Sequence, residues 1–199
     1  PGWLKGRIML NMDSEEDGTL YVGCAGGVDT IVTFKADRDD APEGMSAVEL
    51  KVSGLKGGHS GLDIHEGRGN ALKMMTRFLR SPAAASLGLK LVSWNGGNLR
   101  NAIPRESVST VLVPQGKEDA LARAVAEQEV VLKEEIGDLE TALSFAAHTG
   151  VAAEGLPAPL TDDAANRLTG MIQVLPHGVI SMSRAIPGLV ETSTNVASI

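Results

Sequence analysis

The feature that most constrains the fold is an alternation of two hydrophobic periods between residues 45 and 148. Val48, Leu50 and Val52 alternate with charged residues, which predicts a strand buried on one face. A helix is predicted for residues 117–135, because apolar residues recur there at helical spacing and Gly137 follows. The face of this helix that meets the core is predicted to carry Leu121, Val125, Gln128, Leu132 and Ile136.

The remaining elements complete an ordered unit. A helix at residues 71–79 is expected to stop before Pro82. Further strands are predicted at residues 87–94, 108–113 and 139–147. The order β-α-β-β-α-β indicates an α+β fold, an antiparallel sheet with helices on one face, of the ferredoxin-like kind.

Elements are also predicted on both sides of this unit. A helix capped by Thr161 and a strand at residues 189–199 are expected to be part of a second such unit. Upstream, strands are predicted at residues 7–12, 19–23 and 29–36. The chain starts without Met and stops within a strand-like run, so we expect a fragment of a longer protein.

Composition argues against a nucleic-acid partner, a membrane span and an internal disulfide. The chain has 199 residues and a formal net charge of -7, which argues against binding a nucleic-acid backbone. Lys73, Arg77 and Arg80 are spaced as a solvated helix face. No apolar run is long enough for a membrane span. Cys24 is the single cysteine, which fits a reducing cytoplasm, and its glycine-rich neighbours favour a buried or tight-turn thiol over a nucleophile.

An acidic segment after the first predicted strand offers a candidate metal ligand. Asp13 follows a buried strand, and such a carboxylate can hold a cation when other ligands converge on it. Without further context, an ordinary acidic hairpin turn is the favoured interpretation of this segment. Glu15 and Glu16 are adjacent, so their side chains point to opposite faces, and we interpret them as solvated turn residues.

Two glycine-rich loops carry the other candidates. The loop at residues 54–61 lacks the spacing of a nucleotide-binding loop, and it presents His59 between glycines. Such a histidine can donate a hydrogen bond to a substrate carbonyl or a developing oxyanion, or it can bond the loop backbone. In the turn at residues 95–104, Arg100 and Asn101 could grip a carboxylate or a peptide amide, whereas Asn98 fits ordinary turn chemistry.

The three other histidines do not form a metal site by their spacing. His65 precedes the first helix, His148 lies in an Ala-rich segment and His177 follows a proline. No pair of them has the spacing of metal ligands on one helix or strand. Structural roles are therefore favoured for all three.

Seven motifs occur in an order that resembles a known family. They include Leu-Asn-x-Asp-Ser-Glu-Glu at 10–16, Gly-Gly-His-Ser-Gly at 57–61 and Asn-Gly-Gly…Arg-Asn-Ala-Ile-Pro-Arg at 95–105. The others are Gly-Cys-Ala-Gly-Gly at 23–27, Ile-His at 64–65, Arg-Gly-Asn-Ala at 68–71 and Glu-Thr-Ser-x-Asn-Val at 191–196. Together they resemble the aminoacyl-histidine dipeptidases, carnosinase-like members of the di-zinc aminoacylase/carboxypeptidase-type peptidases.

This resemblance implies a two-domain enzyme that hydrolyses Xaa-His dipeptides with two zinc ions. Residues 1–26 would be the edge of its catalytic domain, and residues 27–199 would be a lid or dimerisation domain. Asp13 would be a zinc ligand, His59 the residue that polarises the scissile carbonyl, and Asn101 a substrate-binding residue. The general base and the other zinc ligands have no counterpart in this sequence. We therefore expect the chain alone to bind zinc weakly and to hydrolyse nothing.

The expected partners are a dipeptide, the remainder of the catalytic domain and a second copy of the chain in a homodimer. A different class of function stays open at this point. Ferredoxin-like units also act as non-catalytic small-ligand-binding or dimerisation modules, in which case the glycine-rich loops would be structural.

Overall fold

The computed structural model describes residues 5–8, 10, 17–21 and 23–199. The chain divides into two compact units, Pro1–Thr30 and Ile31–Ile199. The described residues of the first unit are exposed and form no helix or strand. Cys24 is among them and is exposed, so the expected buried or tight-turn thiol is wrong.

The second unit contains a four-stranded antiparallel sheet. Its strands are β1 (Met45–Ser53), β3 (Lys90–Gly96), β5 (Ser107–Pro114) and β6 (Ser144–Val151), in the spatial order β3-β5-β1-β6. The central strand β1 pairs with both β5 and β6. Two short strands, β2 (Gly58–His59) and β4 (Ala102–Ile103), form a separate ribbon.

Helices pack against one face of this sheet. They are α1 (Ala71–Leu79), α2 (Pro82–Leu87), α3 (Glu118–Ile136) and α4 (Asp162–Val174). Val48, Leu50 and Val52 are fully buried against this layer, as their alternation predicted. Phe78 of α1 meets Phe145 of β6 edge to face, with ring centroids 5.3 Å apart. The predicted α+β class, with its β-α-β-β-α-β order, is confirmed.

The ends of several helices and strands differ from the predictions, because capping residues and turn hydrogen bonds set them rather than the spacing of apolar residues. Pro82 follows the end of α1, but it also begins α2, whose N-cap Ser81 accepts a hydrogen bond from the Ala84 N–H. Residues 87–89 were predicted as strand, yet Leu87 ends that helix and Gly88 caps it with a φ of 72°. Residues 139–143 precede β6 because the Leu139 and Glu140 N–H groups bond back to the Ile136 carbonyl.

The C-terminal part contains one predicted helix and one predicted strand. Thr161 caps α4 by accepting from the Ala164 N–H, as expected. The predicted last strand is shorter, β8 (Val190–Thr194), and it pairs with β7 (Gly178–Met182), which the sequence did not predict. The strand predicted at residues 29–36 is absent, because those residues have no strand pairing. The strand predictions at residues 7–12 and 19–23 fall partly outside the described residues.

The prediction of a solvated face for Lys73, Arg77 and Arg80 is wrong for Lys73, which is half-buried. Lys73 donates to the Ile172 and Gln173 carbonyls at 2.6 and 3.0 Å, and so satisfies the C-terminal end of α4. Arg77 and Arg80 are exposed as predicted. Arg80 also donates to the Asn166 carbonyl of α4, and Arg77 pairs with Glu135 of α3. Helical spacing alone did not reveal that α4 lies beside these residues.

Candidate functional site

A cleft of about 740 Å³ opens between two loops of the second unit. We call residues 54–69, which join β1 to α1, the first loop. Residues 97–106, which lie between β3 and β5 and contain β4, are the second loop. His59 from the first loop and Asn101 from the second both line this cleft.

The ribbon β2–β4 brings these two residues together. Gly58 lies opposite Ile103, and His59 lies opposite Ala102. The Ser60 N–H donates to the Asn101 carbonyl at 2.9 Å, which extends the pairing by one residue. Two motifs that are far apart in the sequence therefore meet at one edge of the cleft, with His59 and Asn101 both exposed to it.

The His59 ring is oriented by its own loop. Its Nδ1 accepts hydrogen bonds from the Gly61 and Leu62 N–H groups, both at 3.1 Å. Because Nδ1 acts as an acceptor, the neutral ring carries its proton on Nε2. The loop backbone thus selects the tautomer in which Nε2 is a hydrogen-bond donor. The sequence left open whether this histidine bonds the backbone or serves a substrate, and the geometry allows both through different nitrogens.

A second set of contacts holds the backbone around His59. The His59 N–H donates to Asp63 Oδ2 at 2.7 Å, and Arg68 pairs with Asp63 at 3.1 Å. Arg68 also donates to the Gly57 carbonyl and pairs with Glu66. Gly58 has a φ of 139°, and a Cβ there would lie 2.2 Å from the Arg68 guanidinium, so the position requires glycine.

Glu140 forms hydrogen bonds to both stems of the first loop, one at Lys56 and the other at Gly69, and the sequence did not predict it. It lies in the turn after α3 and is only 1% exposed. Its Oε2 accepts from the Lys56 N–H at 2.7 Å, and its Oε1 accepts from the Gly69 N–H at 2.8 Å. No sequence signal marks it, because a single glutamate in a polar turn is ordinary surface composition.

Asn70 connects the first loop to the C-terminal segment. It caps α1 by accepting from the Leu72 and Lys73 N–H groups, and its amide donates to the Val196 carbonyl at 2.9 Å. The side-chain amide of Asn195, the residue before Val196, donates to the Ala102 carbonyl at 2.8 Å. The motifs at 68–71, 95–105 and 191–196 therefore converge on the same side of the cleft.

The other histidines lie away from the cleft lining. His65 is exposed on a short 3-10 helix, Ile64–Glu66, and His148 is exposed on β6. His177 is half-buried, and its Nδ1 lies 3.3 Å from the Asn70 amide nitrogen. Burial, and then the positive charge of Lys73, lower the pKa of His177 to about 4. This ring is neutral at physiological pH.

The described residues do not fit a metal ion. Within residues 5–8, 10, 17–21 and 23–199, no three His, Cys, Asp or Glu side chains converge as metal ligands. Asp13, the candidate zinc ligand, lies outside the described residues, as do Glu15 and Glu16. Among the described residues no helix has the length and apolar character needed to cross a membrane.

Comparisons with known proteins agree with the fold and with the resemblance. Residues 50–140 match the family model described as the peptidase dimerisation domain. The cytosol non-specific dipeptidase of Escherichia coli (strain K12) is 42% identical to this chain over 194 residues, 98% of the chain. The crystal structure of aminoacylhistidine dipeptidase from Vibrio alginolyticus superposes with a TM-score of 0.88 and 45% identity, over 99% of the chain.

Both relatives are much longer than this chain, which spans 39% of the length of each. The likeness nevertheless covers nearly every residue of the chain and includes both glycine-rich loops. Residues 50–140 therefore carry a peptidase dimerisation domain, and nearly the whole chain is similar to an aminoacylhistidine dipeptidase and to a cytosol dipeptidase, the likeness that its ordered motifs predicted.

Proposed function

We propose that this chain is the substrate-covering lid and dimerisation part of a metal-dependent dipeptidase that cleaves Xaa-His dipeptides in the cytoplasm. The single observation that carries the proposal is the orientation of His59. Two backbone N–H groups occupy its Nδ1, at the edge of a cleft that Asn101 also lines. The two similar dipeptidases support the reaction class.

His59 suits the stabilisation of negative charge. When a peptide carbonyl is attacked, charge develops on its oxygen, and a donor already fixed in place stabilises that charge without reorganising. Nε2–H of His59 is such a donor, because the Gly61 and Leu62 backbone holds the opposite side of the ring. His59 would therefore act on the scissile carbonyl.

Asn101 suits the binding of a peptide. Its side-chain amide offers both a donor and an acceptor, the same pair that a peptide group presents. Its backbone is fixed to the first loop through the Ser60 N–H, so its distance from His59 is set by the ribbon. We propose that Asn101 orients the dipeptide relative to the His59 ring.

The metal site of the proposed enzyme would be completed outside the described residues. Asp13 is our candidate ligand, and the remaining ligands and the general base would come from the rest of the catalytic domain. Since one carboxylate cannot hold two zinc ions, the chain alone would hydrolyse no dipeptide. The dimerisation match supports a homodimer of the enzyme.

The test is His59→Ala in the full-length enzyme, assayed with an Xaa-His dipeptide. Loss of one oxyanion donor should lower kcat by about 10²–10³-fold. Bound zinc, measured by atomic emission, should stay unchanged, because His59 is not proposed as a ligand. His65→Ala is the matched control, since His65 is exposed and belongs to the same loop.

The same assay decides between the two classes of function. If the chain were only a non-catalytic ligand-binding or dimerisation module, His59→Ala would leave kcat at the level of His65→Ala. Turnover by the isolated chain would contradict the proposal that the rest of the catalytic site lies elsewhere.

A further inference from the structure

Both stems of the first loop end on one buried carboxylate. Glu140 accepts from the Lys56 N–H with one oxygen and from the Gly69 N–H with the other, at 2.7 and 2.8 Å. Lys56 lies just before the glycines that lead to His59, and Gly69 lies just before the cap of α1. A single side chain therefore holds the entry and the exit of the segment that presents His59 within a few ångströms of each other.

Glu140 is itself fixed by the end of α3. Its N–H bonds the Ile136 carbonyl at 2.8 Å, and its carbonyl accepts from the Leu143 N–H at 3.0 Å. Leu132, one turn before the end of α3, is buried in the main core. The carboxylate thus ties the loop to the end of a helix that is packed on the main core.

The Gly69 N–H needs this partner. A Cβ at Gly69 would lie 2.6 Å from the Met74 Cε and 3.2 Å from side-chain atoms of Ile136 and Leu55, so this backbone is surrounded by apolar atoms. A buried N–H without an acceptor costs the full desolvation of that group. The two N–H groups meet different oxygens of Glu140, so an amide in the same position would turn an NH₂ donor toward one of them, which favours a carboxylate.

We propose that Glu140 is a positioning residue for His59, which sets the catalytic geometry through the two stems of the first loop. This inference rests on the proposed role of His59 in catalysis. Glu140 touches no substrate. It acts by holding both ends of the segment between Lys56 and Gly69, and with it strand β2 and the His59 ring, in place against the end of α3.

The first experiment measures amide hydrogen exchange in this chain by NMR, in Glu140→Gln. A glutamine keeps the volume but turns an NH₂ group toward one of the two N–H donors. Protection of the Ser60 and Leu62 amides, which bond Asn101 and His59, should fall tenfold or more. Protection of the paired β1 amides Val48 and Leu50 should stay as in the wild type, which distinguishes local loosening from global destabilisation.

Glu129→Gln is the matched control. Glu129 is also a glutamate of the α3 region that accepts a backbone N–H, that of Phe145 at 3.4 Å, but it does not contact the first loop. Its substitution should leave the Ser60 and Leu62 amides as protected as before. Equal loss in both variants, or no loss in Glu140→Gln, would overturn the proposal.

The second experiment measures kinetics in the full-length enzyme. Glu140→Gln should lower kcat by about tenfold or more, because displacement of a catalytic group by about 1 Å can cost up to about 10²-fold, while KM changes little. In a His59→Ala background the same substitution should have no further effect on kcat. Full additivity of the two effects would contradict action through His59.

Three further outcomes have distinct meanings. If Glu140→Gln does not fold, Glu140→Asp keeps both oxygens on a shorter side chain and should show the same pattern at a smaller amplitude. If His59→Ala leaves kcat unchanged, the proposed function fails, whatever the exchange data show. If His59→Ala lowers kcat but Glu140→Gln loosens the loop without affecting kcat, the positioning role fails and the proposed function stands.

Discussion

The two loops that meet at the cleft are held in different ways. The first loop is fixed by charged side chains: Arg68 pairs with Asp63 and Glu66 inside the loop, and Glu140 holds its stems. The second loop is fixed by a distant segment of the chain. Gly96, just before this loop, exchanges two backbone hydrogen bonds with Ile199, at 3.4 and 3.0 Å, and the side-chain amide of Asn195 donates to the Ala102 carbonyl.

This difference determines what each loop depends on. The ion pairs of the first loop join residues that are close in sequence, so the shape of this loop depends on its own charged side chains. The second loop depends on a segment about a hundred residues later along the chain, which must pack closely against it. Substitutions should therefore harm the first loop through charge and the second through steric fit.

The largest effect is expected from Gly97→Ala in the second loop. Gly97 has a φ of 68°, and a Cβ there would lie 1.8 Å from the Ala197 carbonyl oxygen, so backbone must move. The free energy of unfolding should fall by about 2–4 kcal/mol, measured by urea denaturation. Gly116→Ala isolates the conformational part, because Gly116 has a φ of 86° but open space around it, and should cost about 1 kcal/mol. Equal losses would show that the segment at residues 195–199 does not hold the second loop.

Arg68→Ala should destabilise the first loop, and the loss of folding stability should be smaller than for Gly97→Ala. The Arg68 side chain is 18% exposed and serves the Gly57 carbonyl, Asp63 and Glu66, so its loss leaves these acceptors partly unpaired. We expect the free energy of unfolding to fall by about 2 kcal/mol in the same urea assay. Arg77→Ala removes an exposed pair with Glu135 and should cost less than about 1 kcal/mol. A loss for Arg68 no greater than for Arg77 would contradict the ionic description of this loop.

The smallest effect concerns His177, which contacts Asn70 where the first loop meets the C-terminal segment. Its folded pKa of about 4 lies below the ordinary value of 6.5, so the unfolded chain binds more protons between these pH values. The free energy of unfolding should therefore fall as pH drops from 7 to 5, by about 1–2 kcal/mol because solvent reaches part of the ring. His177→Gln should lose this contribution, whereas His65→Gln should retain it. A pH dependence that is identical in both variants would show that the Asn70 junction does not depend on a neutral ring.

The sequence predicted the layered part of the fold because that part is built from periodic burial. The Val48–Leu50–Val52 alternation and the face of α3 around Leu121 and Val125 each point to one side of one element. Such patterns are visible within one segment of the sequence, without knowledge of which other elements pack against it. His59 and Asn101 were found as candidates through their loop motifs, and their roles in catalysis stay predictions.

The sequence did not predict contacts made between distant residues by single side chains. Glu140 and Asn195 form hydrogen bonds across 71 or more residues. Glu140 belongs to no motif, and the motif that contains Asn195 does not show which residue it contacts. The strands β2, β4 and β7 were missed for a related reason, since two- to five-residue strands contain too few side chains to show a period. Asp13 stays a prediction because it lies outside the described residues.

The brevity of the β2–β4 ribbon has a consequence for changes in loop length. Each strand of the ribbon has only two residues. The pairing of His59 with Ala102 therefore depends on the number of residues between His59 and Lys56, whose N–H is held by Glu140. One inserted residue between Lys56 and His59 would shift the alignment and turn the imidazole to the other face. An insertion near Leu62 would leave this register in place, but it would displace the N–H donors to Nδ1 that orient the ring. Insertions and deletions should therefore be excluded from both ends of the segment around His59, for two different reasons.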